Sequence, residues 1–399
     1  MIDFSATGIL SFHGIYSIFD LFLPGWLAYA ATCGVLAFIV INAMVLSTAL
    51  YVWFERRTIG RFQSRLGPNR WGPFGLLQPF ADVIKLIVKE DTTPATADKI
   101  VFAISPIVLF APTVLTIAVI PFGENTFLGR LNVGILFLIG VTSLNTIAVL
   151  AAGFASRNKY AMLGSMRGVA MLCSYEVPMA LSLVGVVLIA NSLSLYDIVQ
   201  AQSVPFLLVQ PLGFLVFMAA ASAEMSRTPF DQIEAESELG AGYHTEYSGM
   251  KFAIFQLAEF MAPIVTSIIA VAIFFGGTRG FDPIPGQVWF VIKVVIVLFG
   301  LLWVRATWPR LRIDQIMAFA WKGLFALALI NIFVIAIEVM LFQNGEGHIS
   351  TRGMWTMAAV NWVITIAAIF VMTNVLGGRR LERPTPQPSP LANMYASSD

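Results

Sequence analysis

Two stretches of this sequence gather more ionisable side chains than so apolar a chain has reason to carry. Between Glu224 and Glu246 lie the carboxylates Glu224, Asp231, Glu234, Glu236, Glu238 and Glu246, against one arginine, Arg227, and His244. They are interleaved with Pro, Phe, Ile, Leu and Gly, and Glu259 follows in the next apolar run. Like charges in a poorly solvated place raise one another's proton affinity, so such groups can take up and release protons near neutral pH. Asp231, Glu234 and Glu238 share a face if this part is helical. The same residues would also serve as a solvated acidic loop, and the spacing leaves both readings open.

The second stretch runs from Glu55 as ERRTIGRFQSRLGPNRWGPFGLLQPFADVIKLIVKE, with Glu55, Arg56, Arg57, Arg61 and Arg65 in its first part. LGPNRWGPFG is dense in Gly and Pro and reads as a turn-rich, fixed backbone. After it, Leu76, Leu77, Phe80, Val83, Ile84, Ile87 and Val88 recur at helical spacing, with Asp82, Lys85 and Lys89 on the other face. That pattern is an amphipathic helix in the membrane interface, either a plain anchor or the floor of an opening for a lipid-like substrate. RATWPRLRIDQIMAFAWK carries Arg305, Arg310, Arg312, Asp314 and Lys322, which are either anchors or counter-charges to the acidic loop. Glu176 sits inside an apolar run beside Pro178, where a carboxylate normally faces a partner or a water cavity. Glu338 lies near the end of its run and is expected to reach the interface.

The elements that position these residues are membrane helices. Hydrophobic residues make up 58% of the 399 and charged residues 12%, against about 25% charged in a soluble domain. Nine apolar runs can be read: Trp26–Trp53, Ile100–Phe122, Leu131–Ser156, Gly168–Asn191, Val204–Ala223, Phe252–Gly276, Val288–Val304, Gly323–Gln343 and Met354–Leu376. Most reach the length needed to cross a ~30 Å hydrocarbon core, and in lipid such runs are helices. The expected fold is an all-α polytopic membrane protein of about nine spans plus the interfacial helix. Residues 1–25 form an outer interfacial segment, 26–376 the transmembrane domain with long inner loops 54–99 and 224–251, and 377–399 a disordered inner tail. Residues 1–23 hold Asp3 and Asp20 but no basic start, so no cleavable signal is expected. All lysines and arginines except Arg130, Arg279, Lys293 and Arg352 fall on one side, which places the N-terminus outside and the C-terminus in the cytoplasm.

Several chemistries have no residues to carry them. No GxxxxGK[ST] or GxGxxG occurs, so no nucleotide site is expected, and nucleic acid is not expected as a partner. His13, His244 and His348 all lie outside the spans, so a membrane haem lacks axial ligands. Cys33 and Cys173 are far apart and read as small buried thiols, with no metal spacing. Electrons, if any, are brought by other subunits.

Four blocks together resemble the H subunit of bacterial NADH–quinone oxidoreductase, the mitochondrial complex I subunit 1 family. They are ERRTIGRFQSRLGPNRWGPFGLLQPFADVIKLIVKE, SYEVPMAL, RTPFDQIEAESELGAGYHTEYSGMKF and RATWPRLRIDQIMAF, in family order and over most of residues 26–343. The resemblance implies a non-redox translocase subunit in the bacterial plasma membrane, beneath the hydrophilic arm. It would wall the chamber where quinone, the substrate, meets the terminal iron–sulfur cluster held by neighbouring subunits. FMN and iron–sulfur clusters belong to those partners, and this chain binds no cofactor. Glu55, Arg56, Arg57, Arg61, Arg65, Asp82, Lys85, Arg227, Asp231, Arg305, Arg310 and Arg312 then match the quinone entrance and chamber, with Lys89 in the matching first loop and Asp314 among charges that line or brace the chamber. Glu176, Glu224, Glu234, Glu236, Glu238, Glu246 and Glu259 match the acidic path that couples quinone reduction to proton pumping. Many members have eight spans, so Met354–Leu376 is an addition, and the tail has no family counterpart. A membrane-bound hydrogenase or a ferredoxin-linked complex would use an equivalent subunit. A stand-alone carrier would have the same spans but no use for the amphipathic loop.

Overall fold

The computed structural model describes residues 12–21, 24–122, 131–233, 238, 240–280, 283–343 and 349–377. Glu234, Glu236 and the tail beyond 377 lie outside the described residues. After a short helix α1 (Phe12–Asp20), eight helices among the described residues are long and apolar enough to cross a membrane. They are α2 (Gly25–Phe62), α4 (Lys99–Ile117), α5 (Gly134–Ala155), α6 (Lys159–Ala190), α10 (Gly249–Phe274), α11 (Gly286–Thr307), α12 (Ile313–Phe342) and α13 (Thr351–Gly377). Shorter helices are α3 (Gln78–Val88), α7 (Leu195–Ala201), α8 (Phe206–Val209) and α9 (Pro211–Glu224).

The fifth expected span is not one helix. It breaks at Gln210 (φ −133°, ψ 70°) because Pro211 disfavours a helical residue before it. α9 alone spans about 21 Å, and residues 206–224 together about 28 Å, which is just sufficient to cross. Its two ends are tied to α10, one at that helix's C-terminus and the other in its N-terminal half. Near the start, Gln202 hydrogen-bonds the Ala272 carbonyl and the Gly276 N–H, while beyond the far end Arg227 pairs with Glu259.

α2 is the reverse case. Its 38 residues extend about 57 Å, so its last turns leave the hydrocarbon and carry Glu55, Arg56, Arg57 and Arg61 into the long-loop face, which also holds residues 63–98 and 225–248. The Gly/Pro segment after α2 folds back on it. Trp53 Nε1 and Arg57 donate to the Phe74 carbonyl at 3.0 and 3.1 Å, and the Arg57 guanidinium lies over the Phe74 ring at 4.8 Å. Gly75 is required there: its φ is +77°, and a Cβ would lie 2.3 Å from the Pro68 oxygen. α3 follows as expected, with Phe80, Val83, Ile84, Ile87 and Val88 exposed on the protein surface, the face an interfacial helix gives to lipid.

α6 and α10 are the central helices. α6 packs on α5, α9 and α12, and α10 on α4, α11 and α2. The start of α12 is locked to α6, where the Tyr175 hydroxyl donates to the Ile316 carbonyl at 2.9 Å and Trp321 Nε1 to Ser174 Oγ at 3.2 Å. Here α12 widens to a π-helical segment, Phe319–Leu324, which carries Trp321. The outer helical faces are apolar and exposed, including Phe38, Ile107, Ile147, Phe333 and Val363. Both cysteines are exposed rather than in the core, because their helices turn them outwards. Glu338 also departs from expectation: it is 5% exposed and held against α13 instead of reaching the interface.

Candidate functional site

α2, α10 and α11 bring two ion pairs together at the long-loop face. Glu55, 4% exposed, accepts a hydrogen bond from Arg305 of α11. One turn earlier on α2, the Tyr51 hydroxyl also bonds Glu55, and both Arg305 and Arg227 act electrostatically on that phenol. Arg227, just past α9, pairs with Glu259 of α10 at 2.9 Å and stacks over the Phe260 ring at 4.5 Å. Both partners of this second pair are almost enclosed. Buried pairs of this kind are costly to desolvate, and removing one partner leaves an uncompensated charge.

Two adjoining cavities continue from this cluster into the membrane. The first is lined by Glu259, Tyr243, Glu224 and Asn145 among others. The second shares Thr113, Asn145 and Glu224 and reaches past Thr142 and Thr116 to Ile269. Glu224 and Glu176 lie within electrostatic reach of each other, and Thr146 donates to Glu176 at 2.9 Å. Hydroxyls, an amide and two carboxyls, Glu224 and Glu259, therefore line a space otherwise walled by apolar helices, with Glu176 within electrostatic reach of Glu224. Such a lining can hold water and pass protons.

The other expected residues do not join this cluster. Asp82 of α3 bonds Arg56 at 2.5 Å and Lys85 at 3.4 Å on the α2–α3 seam. Burial raises the Asp82 pKa, but the hydrogen bond and charge of Arg56, with Lys85, outweigh it and hold the carboxyl below its ordinary value. Arg61 and Arg65 are exposed, and Arg65 bonds Gln63. Glu246 accepts from Asn158 at 2.6 Å, bracing the loop against the start of α6. Glu238 is exposed and pairs with Arg167 at 2.6 Å, whose hydrogen bond and charge keep it below the usual carboxylate range. It is thus solvated, not shielded. Arg310 and Arg312 add to that field, so this segment does supply counter-charge to the acidic loop.

Asp231 lies in an irregular segment, so the shared helical face does not form there. That segment is tied instead to the chain after α11: Leu311 N–H donates to the Pro229 carbonyl and Gln232 to the Leu311 carbonyl, at 3.1 and 2.5 Å. Asp314, Lys322 and Lys89 are exposed. Sequence reasoning missed Tyr51, Thr146, Asn145 and the Lys251–Asp91 pair at 3.0 Å. Of these, Tyr51 was findable, since it stands four residues before Glu55 and so on the same helix face.

Fold and site together define an all-α, multi-pass membrane protein with an ionic cluster beside mostly apolar cavities that carry a few polar and acidic side chains. Residues 35–336 match the NADH dehydrogenase family. The H subunit of NADH-quinone oxidoreductase from Dehalococcoides mccartyi strain CBDB1 is 51% identical over 304 residues, covering 76% of this chain and 86% of that protein. The H subunits of Brevibacillus brevis and Geobacillus kaustophilus are 46% and 47% identical, covering 78% and 79% of this chain and 94% and 96% of theirs. The chain belongs to the family of H subunits of NADH-quinone oxidoreductase (complex I), and is a membrane subunit of that multi-subunit complex.

Proposed function

We propose that this subunit forms part of the quinone-access chamber of its complex and carries the acidic path that couples quinone reduction to proton pumping. One observation carries the reading: buried and partly buried ionisable groups run from Arg305 and Glu55, past Tyr51, Arg227 and Glu259, to Glu224 on the cavity wall, with Glu176 within its electrostatic reach. The α2–α3 seam with its lipid-facing apolar surface suits the entry of a hydrophobic quinone, and Arg56, Asp82 and Lys85 mark its polar edge. Arg57 fixes the loop beside it, and Arg61 and Arg65 stand exposed on the same face for the hydrophilic partner subunits.

In this reading electrons reach quinone from the iron–sulfur clusters and FMN of those partners, while the present chain supplies walls and charges. Reduction of quinone draws protons, and the changed charge is felt first by the Glu55–Arg305 and Arg227–Glu259 pairs. Re-pairing there alters the field at Glu224, which shares a cavity wall with Glu259. Asp231, Glu234, Glu236, Glu238 and Glu246 belong to the loop that a bistable response would move, with Arg310 and Arg312 as its counter-charges. The complex sits in the bacterial plasma membrane with the long-loop face towards the cytoplasm.

Glu224→Gln tests the reading in the whole complex in membrane vesicles. Quinone reductase activity and proton pumping are expected to fall together by roughly tenfold or more, a barrier change of about 1.4 kcal/mol. Full activity in both would remove the cavity from the mechanism.

A further inference from the structure

A second buried carboxyl lies outside this ionic series, in the half of the membrane away from the long loops. Glu338 Oε2 accepts from Asn361 Nδ2 of α13 at 2.7 Å, and the same amide donates at 2.9 Å to the Val209 carbonyl beside the break before α9. Glu338 Oε1 has no partner among the described residues. Neither has either end of the fully buried Gln210 amide, nor Asn331 Nδ2. Asn331 and Glu338 are seven residues apart and stack on one face of α12, separated by about 10 Å. Gly185 of α6 makes room for the two amides: a Cβ there would lie 2.7 Å from Gln210 Oε1 and 2.9 Å from Asn331 Nδ2.

Among the described residues no opposite charge is in reach. The described charged residues on the elements packed here are Lys159, Arg167 and Glu176 of α6, Glu224 of α9, Asp314 and Lys322 of α12, and Arg352 of α13. Arg352 is exposed and nine residues from Asn361, and Glu176 is nine from Gly185, each about 13 Å along its helix. α9 carries only apolar and small residues from Leu212 to Ala221, so the long-loop carboxyls do not extend to this place. An uncompensated carboxylate in such surroundings is unfavourable, whereas a neutral acid accepts at one oxygen and donates from the other. The mixture of donors and acceptors left unpaired matches water.

We propose that Glu338, Asn361, Gln210 and Asn331 form an internal site that binds a proton and water in the half of the membrane opposite the acidic loops, closed by α13. The proton passes between water at that face and Glu338 Oε1, and only O–H bonds form and break. The site does not depend on the quinone reading.

Infrared difference spectra of the assembled complex, unaltered against Glu338→Gln, test it. At neutral pH they should show the loss of one free-acid carboxyl band, and that band should shift in D₂O. Carboxylate bands in its place, or an acid band indifferent to D₂O, would overturn the site. Asn361→Leu removes a donor to that carboxyl and should move the band to higher frequency. Should Glu338→Gln not assemble, the Asn361→Leu difference spectrum decides, and an unmoved band overturns the proposal.

Discussion

The two ends of the helical bundle use their cations differently. At the end away from the long loops, Lys293 donates to the carbonyls of Phe275, Gly277 and Arg279, and Arg279 to those of Gln202 and Gln200. Lys293 thus satisfies main-chain oxygens just beyond the C-terminus of α10, and Arg279 those at the C-terminus of α7, where helical carbonyls lack partners and the dipole favours a cation. At the long-loop end, Arg227 and Arg305 face carboxylates in a nearly enclosed place, beside further carboxyls. The first arrangement closes a helix end and has one stable state. The second has alternatives, because a carboxyl can change partner or protonation, and that capacity is what a coupling element requires.

The strongest test of this contrast is Arg227→Met. It strands Glu259 in a poorly solvated site, and loss of one partner of a buried pair typically destabilises by about 3–5 kcal/mol. A large drop in the thermal stability of the complex, mostly recovered when Glu259→Met is added, would confirm that pairing and not packing is at stake. The double variant should remain inactive in quinone reduction, which separates stability from coupling.

A smaller effect is expected at the other end. Lys293→Met removes three charge-assisted hydrogen bonds from a partly exposed site and should lower stability by about 2 kcal/mol. The activity per assembled complex should stay unchanged. A loss of activity at full assembly would erase the distinction between the two ends.

The smallest change concerns Asp82→Asn on the α2–α3 seam. Its partners are well exposed, so solvent screening limits the loss to under about 1 kcal/mol. The sign with pH is fixed by the lowered Asp82 pKa. The anchoring of α3 is present above the ordinary carboxylate value and fades as pH falls through the lowered one. Protease protection of the 63–77 segment against pH should lose this acid step in the variant.

Much of this was legible in the chain. Apolar runs gave the spans and their alternation, the Gly/Pro segment gave the fixed loop, and the period of Leu76–Val88 gave the interfacial helix. The errors have one cause. Glu338, Cys33 and Cys173 were placed by their depth in a run, yet burial depends on which way a helix is turned. Similarly, the acidic loop could be counted but not sorted. Glu224 and Glu259 line the cavities, while Glu238 meets solvent and Arg167.

The sequence by itself determined the helices, because backbone groups in lipid can be satisfied only within their own segment, a local requirement. It also set which face gathers the basic residues. Only the tertiary structure decided that Glu55 meets Arg305 across 250 positions, and that Asn361 of the last helix reaches Glu338 and the broken chain at Val209. Those meetings depend on how the helices are rotated and packed against one another, which shape complementarity along their whole length settles and no single stretch encodes.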